Sequence, residues 1–278
     1  MPLELDGYKR YPQCWGRMLR MAKTVNLPDG TALPLIGFGT WQLRPKEAYE
    51  SVRAALEIGY RHVDTATLYQ NESAVGRAVK DSGLDREQVF VTTKLPPRDA
   101  RHARRTLESS LRLLDTGYVD LWLIHWPTDQ DELVSTWREL LSAKDAGLAR
   151  NVGVSNYSPA QIDLLTKATG RQPAVNQIPW SPAQHDSALL EEHRRRGVVV
   201  EGYSGLKNTD LRNPVLTEIA QRHGVTPAQV VLRWHLEHDI VILPRSSRRE
   251  RVATNFDLQG FDLTPEDVTA IDGLTRVG

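Results

Sequence analysis

The chain has 278 residues with 35 basic and 35 acidic side chains, 40% hydrophobic residues and one cysteine, Cys14. Zero formal net charge lacks the basic excess that marks a nucleic-acid partner, and a lone cysteine builds neither an intrachain disulfide nor a cysteine metal site. No apolar run reaches the roughly 18 residues that span a membrane, and no apolar h-region opens the chain, so a cytoplasmic protein is expected.

Residues 1–22 mix Tyr, Arg, Pro and Gly without a period and predict a disordered or extended tail, followed by one domain over 23–278. The turn Pro28-Asp29-Gly30 separates two short apolar runs, 24–27 and 32–36, which predicts a hairpin. A glycine-rich strand at 37–41 follows, then a helix over 45–59 with Ala48, Val52, Ala55 and Leu56 on one face and Gly59 as its stop.

From there strand and helix alternate. Strands are predicted at 62–66, 89–94, 119–126, 150–155, 174–178, 198–203 and 240–244, with helices at 72–80, 101–114, 132–146, from 158, 187–196, 214–223, 226–237, 250–255 and 265–274. With 37–41 this makes eight strands, each a nearly continuous apolar run, as strands covered on both faces must be. Asp64, Lys94, His125 and Ser155 recur at intervals of 30, 31 and 30 residues, the length of one strand-and-helix unit. No glycine-rich phosphate fingerprint follows the first strand, so the pattern predicts an α/β fold of the closed (β/α)8 TIM-barrel kind, its N-terminal β-hairpin capping the bottom.

In such a barrel the reactive groups gather at the C-terminal strand ends. Strand alternation turns Asp64, Lys94 and His125 inward at one level, and Tyr69 follows Asp64 in a polar turn. Burying these groups without a purpose would incur several desolvation costs together. Lys94, paired with Asp64, stays cationic and is expected to lower the pKa of the Tyr69 hydroxyl. Tyr69 then acts as general acid toward a carbonyl oxygen, and His125 orients that carbonyl. The set holds a proton donor and an oxyanion site but no nucleophile, so hydride from a nicotinamide fits best.

Later strand ends suit such a cofactor. Ser155, Asn156 and Gln177 offer groups for a carboxamide, Tyr203 a ring to stack on, and the basic run 245–251 a phosphate site. A catalytic metal is not expected, because Lys94, Ser155 and Gln177 occupy the strand ends where further ligands would stand. A lyase using Lys94 as a Schiff-base amine is a competing reading, opposed by the Asp64 pairing.

Several motifs in order make the chain resemble the aldo-keto reductases. They are Gly37-Phe38-Gly39-Thr40-Trp41, His62-Val63-Asp64-Thr65-Ala66, Tyr69-Gln70-Asn71-Glu72, Thr93-Lys94-Leu95, Leu123-Ile124-His125-Trp126-Pro127, Gly153-Val154-Ser155-Asn156, Val175-Asn176-Gln177 and Ile242-Leu243-Pro244-Arg245-Ser246. The resemblance implies an NADPH-dependent reductase of aldehydes or ketones with Tyr69, Lys94, Asp64 and His125 catalytic. It implies that Ser155, Asn156, Gln177, Tyr203, Ser204 and Leu206 hold the cofactor, and that Arg245, Ser246 and Arg251 meet its 2′-phosphate and Asn255 its adenine. Trp41, Trp126 and Trp180 would wall the substrate pocket. Short rim segments are most similar to the bacterial 2,5-diketo-D-gluconate reductase-like group and imply a small, polar or dicarbonyl substrate; a monomer is expected. The alternative is a regulatory subunit on the same barrel that binds cofactor with little turnover. Pro179-Trp180-Ser181, Gly205-Leu206-Lys207 and Thr254 depart from the family pattern.

Overall fold

A computed structural model describes residues 23–274; the expected tail at 1–22 lies outside the described residues. The chain opens with β1 (Thr24–Asn26) and β2 (Ala32–Pro34), an antiparallel pair. Gly30, with φ +84°, closes their turn by donating its N–H to the Leu27 carbonyl at 2.8 Å, a backbone conformation glycine adopts without steric cost.

Eight parallel strands follow: β3 (Phe38–Gly39), β4 (His62–Asp64), β5 (Phe90–Leu95), β6 (Val119–Ile124), β7 (Ala149–Ser155), β8 (Val175–Pro179), β9 (Val199–Tyr203) and β10 (Val241–Ile242). Each pairs with its neighbours in sequence order. The sheet closes where Ile36 bridges Ile242 in parallel. Ile242 donates to the Leu35 carbonyl at 2.8 Å, Gly37 to the Ile242 carbonyl at 2.8 Å and Gly39 to the Pro244 carbonyl at 3.2 Å. Ile36, expected in the hairpin, therefore completes the barrel instead, and Leu35 joins the two sheets, its N–H donating to the Lys23 carbonyl at 2.9 Å while its carbonyl accepts from Ile242. A β-carbon on Gly37 would meet His62 Nδ1 at 2.5 Å, and one on Gly39 the Leu243 carbonyl at 2.9 Å. The first strand is glycine-rich because the seam leaves no room for side chains.

The helices are α1 (Pro45–Ile58), α2 (Glu72–Asp81), α3 (Ala103–Leu114), α4 (Leu133–Asp145), α5 (Pro159–Thr169), α6 (Ser187–Arg195), α7 (Pro214–His223), α8 (Pro227–Glu237), α9 (Arg249–Phe256) and α10 (Pro265–Asp272). Their starts are written in the sequence. Ser158, Thr226 and Thr264 cap α5, α8 and α10 through their hydroxyls, each followed by proline at the first helical position. α3 begins two residues later than its expected start, because Pro97 to His102 form a tighter 3₁₀ turn first.

The main core runs between the barrel and its helices, and a second apolar cluster gathers Ile178, Trp180, Val200, Leu216 and Trp234 around α7 and α8. No helix among the described residues is long and apolar enough to cross a membrane.

Candidate active site

The strand ends meet at a cavity of about 680 Å³ whose lining includes Trp41, Asp64, Tyr69, His125, Trp126 and Gln177. β4 ends on Asp64 and β5 carries Lys94, both buried. The Lys94 ammonium donates to both Asp64 oxygens at 2.7 Å and to the Thr65 carbonyl at 2.9 Å. Burial works against its charge, but Asp64 and Tyr69 outweigh it and hold Lys94 above its ordinary range. An amine kept protonated in this way does not attack a carbonyl, which removes the Schiff-base reading.

Tyr69 ends the 3₁₀ turn Thr67–Tyr69. That turn is tied down at both sides. Thr67 Oγ1 donates to the Lys94 carbonyl at 2.9 Å, and Asn71 Nδ2 donates to the Thr40 and Leu43 carbonyls at 3.0 Å each. The phenol ring lies 5.1 Å from Lys94 Nζ and edge-on to the His125 ring, with centroids 5.7 Å apart.

One expectation is corrected here. Burial pushes the Tyr69 hydroxyl up, the Asp64 carboxylate adds to that push, and the Lys94 charge offsets them only in part. The hydroxyl therefore titrates above its ordinary range, not below it, and holds its proton at neutral pH. His125 is pushed down to about 3 by burial and by the Lys94 charge, so its imidazole is neutral. Its Nδ1 has no hydrogen-bond partner among the described residues.

A polar shelf continues around the rim. Ser155 Oγ donates to the Gln177 carbonyl at 2.8 Å, and Asn156 Nδ2 to Ser155 Oγ at 2.9 Å and the His125 carbonyl at 3.2 Å. The Tyr203 hydroxyl donates to Asn156 Oδ1 at 2.8 Å, which fixes the ring against the cavity. Gln177 Nε2 donates to Asp64 Oδ2 at 3.0 Å and to Glu201 Oε2 at 2.9 Å.

The cavity brings together Asp64, Tyr69 and His125 with Ser155, Asn156, Gln177, Tyr203, Ser204, Leu206 and Arg245, while Lys94 lies behind its wall, fully buried on Asp64. Trp41 and Trp126, 43% and 49% exposed, stand at its mouth. Ser246, Arg251 and Asn255 lie outside it. Ser246 Oγ accepts from the Arg248 N–H at 3.0 Å beside the start of α9, while Arg251 and Asn255 are on that helix, exposed and buried respectively. Trp180 is not a pocket wall. It is fully buried and packs in the second apolar cluster, because it shares with Ile178 the strand face that points away from the barrel interior.

Glu201 carries no site role in the sequence reading, and Lys207 enters it only as part of a departure from the family pattern. Glu201 is fully buried beside Gln177, and burial together with the Asp64 charge pushes its carboxyl up to about 8. A carboxylate inside an apolar strand, two residues before Tyr203, was the signal available. Lys207 lies over the Trp41 ring, 5.1 Å from its centroid, and lines the cavity with it.

The model of the aldo/keto reductase family matches residues 35–276. Methylglyoxal reductase DkgA of Yersinia pestis is 38% identical over 260 residues, covering 92% of this chain and 94% of that protein. An aldo/keto reductase from Brucella melitensis, solved as a crystal structure, superposes with a TM-score of 0.90 at 39% identity, over 92% of this chain and 99% of that one. A variant of Gox0644 solved in complex with NADPH does so with a TM-score of 0.88 at 37% identity, over 92% and 94%. An oxidoreductase by this kinship, the chain belongs to the aldo/keto reductase family.

Proposed function

We propose that the protein is an NADPH-linked reductase of small, polar carbonyl compounds, dicarbonyls among them, and that it sits with the bacterial 2,5-diketo-D-gluconate reductase-like group. One observation carries this reading: a protonated tyrosine, an aspartate ion-paired to a buried lysine behind it, and a neutral histidine line the same cavity as the Ser155, Asn156, Gln177 and Tyr203 shelf.

The shelf fits a nicotinamide. Its amide and hydroxyl groups are already ordered by one another, Tyr203 offers a ring face, and Arg245 stands at the cavity edge toward α9. Ser155, Asn156 and Gln177 would hold the carboxamide, and Arg245 with Ser246 and Arg251 the 2′-phosphate. When bound, NADPH supplies hydride to the carbonyl carbon. Tyr69 hands its hydroxyl proton to the carbonyl oxygen, and the Lys94 charge beside it stabilises the phenolate left behind. Neutral His125 donates an N–H to the same oxygen and fixes its approach.

Trp41, Trp126 and Leu68 remain exposed at the mouth, which supports a broad range of substrates. The activity named for the Yersinia pestis relative points the same way. The test is NADPH oxidation over dicarbonyls, sugars, aromatic aldehydes and keto acids. The reading predicts turnover of methylglyoxal, and no turnover of any carbonyl would overturn it.

A further inference from the structure

Away from the cavity, three ligating side chains from distant parts of the chain converge. His185 follows β8, His238 caps the C-terminal end of α8, and Asp272 ends α10. One ligand atom from each lies within 4.8 Å of the other two, and among the described residues this is the one group of its kind. His238 Nε2 is 2.9 Å from Asp272 Oδ1, and His185 Nε2 is 3.7 Å from the same oxygen. The two imidazole rings are 5.0 Å apart and inclined by 34°.

We propose that His185, His238 and Asp272 form a site for a divalent first-row transition metal of the zinc class, separate from the catalytic cavity and clamping α8, α10 and the segment after β8 together.

Distances suit this class. Four-coordinate zinc with bonds of about 2.0–2.2 Å sets neighbouring ligand atoms roughly 3.3–3.5 Å apart. The separations of 2.9 and 3.7 Å lie on either side of that spacing, so small side-chain rotations bring the set into place. Two imidazoles and one carboxylate favour zinc, cobalt, nickel or copper over calcium and magnesium, which take oxygen ligands. All three side chains keep some exposure, 9% for His185, 16% for His238 and 30% for Asp272.

The surroundings match what a ligand set needs. Trp234 Nε1 donates to Asp272 Oδ1 at 2.8 Å, the kind of outer hydrogen bond that orients a ligating carboxylate. The indoles of Trp180 and Trp234 stand edge-on to the His185 ring at 5.7 and 5.5 Å and form an apolar wall. Trp180, the departure from the family pattern that the catalytic cavity does not use, thereby gains a role.

The test uses the full-length protein stripped of metal by a chelator. Titration with Co²⁺ should give the visible bands of a four-coordinate site at one equivalent, displaced by Zn²⁺, and saturable quenching of tryptophan fluorescence by Cu²⁺. Zn²⁺ should raise the midpoint of thermal unfolding. Asp272→Asn and His238→Gln should each weaken Zn²⁺ binding by at least about 100-fold, because losing an outer-sphere partner alone costs about 10- to 100-fold. NADPH affinity should stay at its original value in both. His185→Gln gives the same comparison should either variant fail to fold. Absence of a one-to-one Co²⁺ spectrum in the unmodified protein, or Zn²⁺ affinity unchanged in these variants, would overturn the proposal.

Discussion

Gln177 and Glu201 stand directly opposite each other in the β8–β9 register, and the Gln177 side-chain nitrogen bridges Glu201 to Asp64. The barrel floor thus holds two carboxylates against one ammonium, and Glu201 resolves the excess by keeping its proton up to about pH 8. An unfolded chain releases that proton near 4.5. Between these values the folded state binds more protons, so the Glu201 contribution to stability falls as pH rises and is fully lost above about 8. Replacing Glu201 by Gln should flatten this decline in urea unfolding compared at about pH 6 and about pH 9. An unchanged slope in the variant would show that Glu201 is not the group responsible.

The acid side has the opposite sign. Burial pushes His62 and His125 down to about 3 and His235 to about 4, so all three are neutral when folded. Once unfolded they take up protons below about 6.5, so stability falls as pH drops below that value. Together with Glu201 this places the stability maximum near pH 6.5. Midpoints from thermal unfolding across pH 4 to 9 check it, and a maximum above about pH 8 would contradict it.

Lys94 and Asp64 form a buried ion pair at 2.7 Å. Lys94→Met leaves the carboxylate with Gln177 as its remaining side-chain donor, and breaking a buried pair in this way costs about 3–5 kcal/mol. Urea unfolding measures the loss. A change under about 1 kcal/mol would mean that Asp64 becomes protonated or hydrated at little cost.

His125 is proposed to act as a neutral donor. His125→Leu should lower kcat by about 10²- to 10³-fold, the usual cost of losing one oxyanion donor. The dissociation constant for NADPH should not move. The unmodified enzyme should show no ionisation near pH 6.5 in kcat; such a step, if absent from the variant, would mean the imidazole works charged.

Arg251 is exposed on α9, beyond the cavity boundary, so its proposed contact is with the cofactor's 2′-phosphate alone. Arg251→Met should weaken NADPH binding by about 10- to 100-fold, the value of a hydrogen bond to a charged group, and leave NADH untouched. Equal losses for both nucleotides would assign Arg251 a structural role.

Much of this site was legible in the chain because strand alternation and repeat length are local signals. Asp64, Lys94 and His125 each stand on an inward-facing run one unit apart; Lys94 pairs with Asp64, its charge reaches His125, and Asp64 and His125 line one cavity. Trp180 was misplaced although the same alternation, counted from inward-facing Gln177, turns it outward with Ile178. The pKa of Tyr69 was misjudged for another reason. Its neighbour's charge is visible in the sequence, but the depth of burial that outweighs it is a property of the folded cavity. Ile36 reads as hairpin in the sequence because an apolar run does not announce which sheet will accept its hydrogen bonds.

The proton of Tyr69 is the most direct point of test. With NADPH saturating and methylglyoxal as substrate, Tyr69→Phe should lower kcat by about 10²- to 10⁴-fold, the usual worth of a positioned general acid. NADPH should bind the variant as it binds the original. A variant that keeps more than about a tenth of the original kcat would contradict the assignment, because another group would then be supplying the proton.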